Sequence, residues 1–435
     1  MLAKLIIASL LTGIISGFFI TFYEFFIALL SHLLFMGDPF ETIPNLPVWY
    51  IYLVPTVAIF IVNYLVSKDS HIREYGVSEI AESISQNKMI LKFKTLFLKV
   101  FASTLSIASG FAVGTEGPSA GMGAMIAYQI HKVFKLPTLL IKMMISVGAS
   151  SGVAAIFVSP LTGIMFAIEN IAYQFLKQYI GYVILASVIS FSISVKFLDS
   201  ISFQNSLGRI VDYHYIIPVM LFIPFITGFI YLYLFMKKKL LHFIDLEIFK
   251  NFHAYRNIIF SLIGGSVIGT ILLINPYAAF SGKEVVVHFI NEQKDISLIL
   301  IFTLIMLRII GTTVSLYANA VGGVFLPLMS IGALIGYGYG EILTRVHHFA
   351  FEPFYFAAVG AAVFMGVLMK LPLTAVVLSL EVTFDYNVMV ATGVSVVIVS
   401  YLSNLYFDIR KKYVTKAEKS VKERPTEQEE ENKTN

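Results

Sequence analysis

Long apolar stretches, broken by glycine, proline and short polar clusters, set the pattern of this chain. Runs long enough to cross a hydrocarbon core recur at roughly 4–35, 49–66, 140–168, 178–196, 214–236, 257–275, 296–318, 354–382 and 388–407. Several are too long for a perpendicular span, and others are interrupted by Gly and Pro. The pattern therefore predicts an all-α polytopic membrane protein of long tilted helices mixed with half-helices. The stretch from Leu2 to Leu34 is longer than the apolar region of a secretion signal, and no small-residue cleavage pattern closes it, so it reads as the first membrane helix.

Composition points the same way. Of 435 residues 57% are hydrophobic and 13% charged, and the mean hydropathy of +0.81 leaves too little polar surface for a water-soluble body. The absence of cysteine excludes disulfides and thiol chemistry. Net charge is +4, and its placement says more than its sum. Basic residues gather at Lys237, Lys238, Lys239, Lys250 and Arg256, and again at Arg410, Lys411, Lys412 and Lys416. By the positive-inside tendency both clusters face the cytoplasm; the expected location is the cell (inner) membrane with both termini cytoplasmic. Residues 417–435 are almost wholly polar and read as a disordered, solvated tail.

The chain also repeats itself. Lys99 to Ala124 reads KVFASTLSIASGFAVGTEGPSAGMGA and Arg308 to Ala333 reads RIIGTTVSLYANAVGGVFLPLMSIGA. At a constant offset of 209 the two share a cation, adjacent hydroxyl positions, a serine, and then Gly-x-x-x-Pro-x-x-x-x-Gly-Ala. Downstream, SPLTGIMFAIEN and LPLTAVVLSLEV each carry Pro-Leu-Thr with a glutamate, Glu169 or Glu381, nine residues after the proline, now offset by 212. Gly17 and Gly228 align near the start of each half at an offset of 211. The expected organisation is a first repeat at 1–208, a second at 209–416, and the tail at 417–435. With the first helix starting in the cytoplasm and Lys237 to Lys239 marking a cytoplasmic helix end in the second copy, the repeats run in opposite directions.

Inverted repeats bring matching helix ends to one depth from both sides. A helix N-terminus inside the bilayer presents free amide N–H groups and the positive dipole end, where an anion can be held. Gly114, Thr115, Gly117 and Pro118 in the first copy, and Gly322 and Gly323 before Pro327 in the second, have the grammar of such helix starts. Close helix packing through small residues is the alternative use of the same glycines. Glu116 tips the balance, because an ionisable group within the membrane needs a role or partners. At a helix start its carboxylate competes for the N–H groups an anion wants, so it acts as a gate; a self-capping glutamate that only finishes the helix is the other reading.

The combination of TEGP with its small-residue helix, GGVFLP followed by GA, and the two Pro-Leu-Thr-to-Glu segments resembles the CLC family of chloride channels and proton-coupled chloride transporters, over nearly the whole chain up to about residue 416. The resemblance implies the CLC fold, with two inverted-topology repeats of tilted and broken helices, and a homodimer with one anion pathway per subunit. It implies that Glu116 is the gating group and proton acceptor, that the backbone at Val324 and Phe325 binds the central anion, and that Tyr413 closes that site from inside. For Tyr413 an interfacial belt tyrosine is the alternative. Chloride or a similar small anion, the proton and the lipid bilayer are the implied partners, with no nucleic acid and no cofactor or metal.

Two departures from the family pattern bear on function. The first anion-binding loop, commonly Gly-Ser-Gly-Ile-Pro-Glu, aligns here with Glu74 to Glu79, EYGVSE. Tyr75 replaces the serine and Ser78 replaces the proline, so the site is left to the backbone N–H groups around Gly76 and Val77, to the Tyr75 hydroxyl or to water, which opens selectivity to fluoride or nitrate as well as chloride. An inner glutamate of well-known bacterial exchangers corresponds to Asn170, which cannot carry a proton. Glu169, repeated as Glu381, reads as structural. Proton-coupled exchange is expected because Glu116 is retained, and a passive voltage- or pH-gated channel is the alternative. Catalysis is not expected: the histidines are scattered apart from His347 and His348, and no metalloprotease, nucleophile-elbow or phosphate-loop pattern occurs.

Overall fold

The structure, a computed structural model, describes residues 1–73, 92–171, 179–203, 216–244, 256–290, 296–347 and 352–422, with single positions between 80 and 89. Side chains at a few helix ends, Asn170 among them, and those beyond Asn404 lie outside that description.

Among the described residues there are fourteen helices of twelve residues or more, and they fall into two sets of seven in matching order. The first set is α1 (Leu2–Leu34), α2 (Val48–Lys68), α3 (Phe93–Ala108), α4 (Glu116–Val133), α5 (Ile141–Phe157), α6 (Pro160–Ile171) and α7 (Ile180–Ser194). The second is α8 (Ile216–Ile244), α9 (Arg256–Ile274), α10 (Leu298–Tyr317), α11 (Phe325–His347), α12 (Pro353–Met369), α13 (Pro372–Thr383) and α14 (Tyr386–Lys422). Eight helical segments are long and apolar enough to span a membrane. The boundary expected near Gly208 lies outside the described residues.

Local chemistry explains where the apolar runs break. The run at 140–168 is two helices, α5 and α6, because Val158 turns into the left-handed region at φ 51° and Pro160 opens the next helix. The run at 354–382 divides the same way, with Lys370 left-handed at φ 59° and Pro372 opening α13. Proline lacks an amide hydrogen and clashes with the preceding turn, so it can begin a helix but not continue one. At 12 residues each, α6 and α13 are about 18 Å long, well short of a core of about 30 Å.

Helix starts left inside the bilayer need acceptors for their free amides. Each short helix takes its acceptor from the other half. Glu169 of α6 accepts the Leu373 and Thr374 amides at 2.8 Å and the Thr374 hydroxyl at 2.6 Å, all at the start of α13. Glu381 of α13 accepts the Leu161 amide at 2.8 Å, the Thr162 amide and hydroxyl at 2.6 Å, and the Ser159 hydroxyl, all at the start of α6. Both carboxylates therefore have an architectural job.

The tightest helix pairs are α4 with α5 and, equivalently, α11 with α12. Gly123 packs on Gly148 and Gly332 on Gly360, contacts so close that an added Cβ would stand 2.0 and 2.2 Å from a carbonyl oxygen. The glycines past the first turn thus pack helices, while those before it build the site. Helix α14 continues to Lys422, beyond Ala417 where the polar tail was expected to begin; Lys416 to Lys422, KAEKSVK, is rich in good helix formers.

Candidate functional site where α4 meets α11

The two glycine-rich connections meet back to back. Gly114 and Gly323, equivalent positions of the two repeats, exchange both backbone hydrogen bonds at 2.7 Å. One turn away the same exchange occurs through side chains: Ser106 accepts the Val321 amide at 3.1 Å and Ser315 accepts the Ala112 amide at 2.9 Å. Buried cations fix neighbouring loops. Arg308 donates to the Tyr277, Ala279 and Ser281 carbonyls at 3.0, 2.9 and 3.2 Å, and its counterpart Lys99 donates to the His71 carbonyl at 3.3 Å.

This bridge aims α4 and α11 at one point. Glu116 is the first residue of α4 and Phe325 the first of α11. Glu116 is buried, at 4% exposure, and its Oε1 accepts the Phe325 amide at 2.6 Å. Oε2 has no hydrogen-bond partner among the described residues. The carboxylate thus reaches across to the positive end of the opposing helix, so its role exceeds that of a cap on its own α4. Only glycine fits beside it: a Cβ at Gly323 would stand 1.9 Å from Oε1, and one at Gly114 2.0 Å from Oε2. Gly322 is pressed against the Gly114 carbonyl in the same way, 2.8 Å from an added Cβ.

The remaining expected residues are distributed around this point. Thr115 precedes α4, buried, with a hydroxyl that caps no amide. Gly117 and Pro118 lie in the first turn of α4, where proline gives up no needed hydrogen bond. The Phe325 ring is fully buried against Phe157, with centroids 4.5 Å apart, and Val324 is half-buried beside it. Tyr75, Gly76 and Val77 lie outside the described residues, as do the side chains of Asn170 and Tyr413. The entry to the first loop is described: Asp69 accepts the Thr95 hydroxyl at 2.6 Å and the His71 amide at 3.1 Å. The hydrogen bond from Thr95, foremost, holds the Asp69 carboxyl below its ordinary value.

Two features escaped the sequence reading. The crossed serine bonds were present in the alignment as the shared serine at Ser106 and Ser315, without a geometry to interpret it. Glu24, the acid within the apolar helix α1, borders a cavity shared with Thr115; its signal was a single carboxylate in an otherwise lipid-compatible segment.

Comparison with known proteins agrees with this architecture. The chain is 26% identical over 405 residues to the H(+)/Cl(-) exchange transporter ClcA of Vibrio cholerae, covering 91% of this chain and 86% of the relative. It superimposes on a slow cyanobacterial Cl-/H+ antiporter with a TM-score of 0.81 at 19% identity, covering 93% of this chain and 95% of the other. A CLC-type fluoride/proton antiporter follows with a TM-score of 0.72 at 19% identity, covering 93% and 96%. The profile of the voltage gated chloride channel family matches residues 56–404, and with the inverted helix sets meeting at Glu116 and Phe325, the chain belongs to that family.

Proposed function

We propose that this protein moves a small anion, chloride foremost, across the membrane in exchange for protons, with Glu116 serving both fluxes. The supporting observation is the bond from the Phe325 amide to the Glu116 carboxylate. A helix-start amide facing the end of a second helix is a place to hold an anion, and a carboxylate in that place is the anion's competitor. Ionised, Glu116 fills the position. On protonation it loses its charge and its hold on the amide, and an incoming anion replaces it. The same proton then travels with the side chain, which ties the two fluxes together.

In this reading the backbone at Val324 and Phe325 holds the anion, Tyr75 to Val77 complete its cage, and Tyr413 closes the inner end. The protein works as a homodimer in the cell (inner) membrane with both termini in the cytoplasm. A passive channel is the second reading, favoured by Asn170, whose amide offers no inner proton site. Tyr75 in place of a serine leaves fluoride or nitrate as alternative cargoes.

Flux from proteoliposomes, recorded with external pH, tests this. Chloride efflux that drives proton uptake against a gradient, and loses it in Glu116→Gln, is the expected result. Efflux without proton movement establishes the channel. Brisk movement of fluoride or nitrate with little chloride transfers the selectivity question to Tyr75.

A further inference from the structure

Beside the start of α4 lies a cavity of about 660 Å³, bordered by α1, the segment around Asp38, and the chain from Phe280 to Val287. Thr115 lines it; the residue is 2% exposed and its hydroxyl has no partner among the described residues. Glu24 of α1 lines it too. Its Oε1 stands 3.7 Å from the Lys283 ammonium, while its Oε2 is buried without a hydrogen-bond partner among the described residues.

That half-satisfied state distinguishes Glu24 from the structural glutamates of the same chain. Glu169 and Glu381 have both oxygens hydrogen-bonded. Glu24 and Glu116 each leave one oxygen free. A carboxylate is costly in an apolar helix, and one long ion pair is poor compensation if architecture were its task. Thr115, which borders the same cavity as Glu24, directly precedes Glu116 in the chain. The other ionisable groups facing the cavity are His32, Asp38, Asp199, Lys283 and Glu284, so carboxylates outnumber cations and the field draws protons in.

Resting on the exchange reading above, we infer that Glu24 passes protons between this cavity and Glu116. A proton from solvent adds to a Glu24 oxygen. It then crosses to Glu116 past the Thr115 hydroxyl, which takes one proton as it gives up its own. Glu24 returns to the carboxylate, Glu116 becomes the acid, and only O–H bonds are made and broken. Lys283, 3.7 Å from Oε1, pairs with the Glu24 carboxylate between transfers.

The test uses the full chain in proteoliposomes, comparing wild type, Glu24→Gln, Glu24→Asp, Glu116→Gln and the double variant Glu24→Gln/Glu116→Gln. Near neutral pH, Glu24→Gln should slow proton movement by about tenfold or more, with recovery in acid, where solvent protonates Glu116 directly. Glu24→Asp should retain most of the rate. In the Glu116→Gln background, adding Glu24→Gln should leave anion flux unchanged. Wild-type proton rates in Glu24→Gln at every pH would overturn the relay. A further drop of anion flux in the double variant would also overturn it, and would assign Glu24 to the anion path. Proton movement persisting in Glu116→Gln alone would instead overturn the exchange reading itself.

Discussion

Glu116 and Phe325 occupy the same position in two copies of one structure, the first residue of a helix that starts inside the protein. Around them the copies are nearly interchangeable: Gly114 pairs with Gly323, and Ser106 and Ser315 return each other's bond. At the first helical residue the copies part. One offers a carboxylate, the other an amide N–H that donates to it. Two carboxylates here would repel across one small space, and two phenylalanines would leave nothing to compete with an anion. The scaffold needs symmetry to bring the helix ends together; the chemistry needs that symmetry broken at one residue.

The difference can be attacked directly. Gly323→Ala places a methyl 1.9 Å from the Glu116 Oε1, which evicts the carboxylate while leaving the acid itself in the chain. Its anion flux should follow Glu116→Gln rather than wild type, a change of about tenfold or more, read as initial efflux from proteoliposomes. A wild-type rate in this variant would mean that the carboxylate's position beside Phe325 does not control flux.

The capping glutamates sharpen the comparison at lower amplitude. Glu381 receives the Ser159 hydroxyl in addition to the bonds it shares in kind with Glu169, and the position equivalent to Ser159 is Leu371. Replacing either by Gln should cost about 2–3 kcal/mol, since a carboxylate accepting several donors is lost, and Glu381→Gln should cost more. Ser159→Ala should bring the two to parity in thermal unfolding in detergent.

The aligned glycines Gly17 and Gly228 differ more quietly. A Cβ at Gly17 would stand 2.9 Å from the Ser190 carbonyl oxygen, whereas one at Gly228 meets nothing within 4 Å. Gly17→Ala should therefore destabilise by about 1–3 kcal/mol, and Gly228→Ala should be neutral or slightly stabilising, since alanine favours helix. The smallest effect belongs to Asp69. Its folded-state value is depressed, so its contribution is complete above the ordinary carboxylate range and fades as pH falls through the folded value. In its partly solvated setting this should amount to less than about 1 kcal/mol, and Asp69→Asn should remove that part of the acid dependence of unfolding.

Much of the architecture was legible because it is written in apolar length and in duplication. The helices that hydropathy alone did not announce, α3, α4 and α11, are covered mainly by protein rather than lipid, so Gly, Ser and Ala replace the leucines that would mark a span. The division of 140–168 and 354–382 depends on Val158 and Lys370 taking a left-handed turn, which side-chain chemistry does not foretell. Glu116 was legible because a charge among glycines is conspicuous. That its carboxylate crosses to Phe325 was not, since the alignment equates those residues without placing them in contact. Glu24 was overlooked for the opposite reason: nothing in its own neighbourhood repeats elsewhere in the chain.

The exchanged glutamates make each half incomplete by itself. Because α6 is capped by Glu381 and α13 by Glu169, a polypeptide of one repeat would leave its own short helix uncapped, and only a second copy inserted upside down could finish it. Two identical copies could close these caps only as an antiparallel pair. Such a pair of identical chains could carry only two acids or none at the helix starts. A single chain holding both copies lets the two positions differ, as Glu116 and Phe325 do.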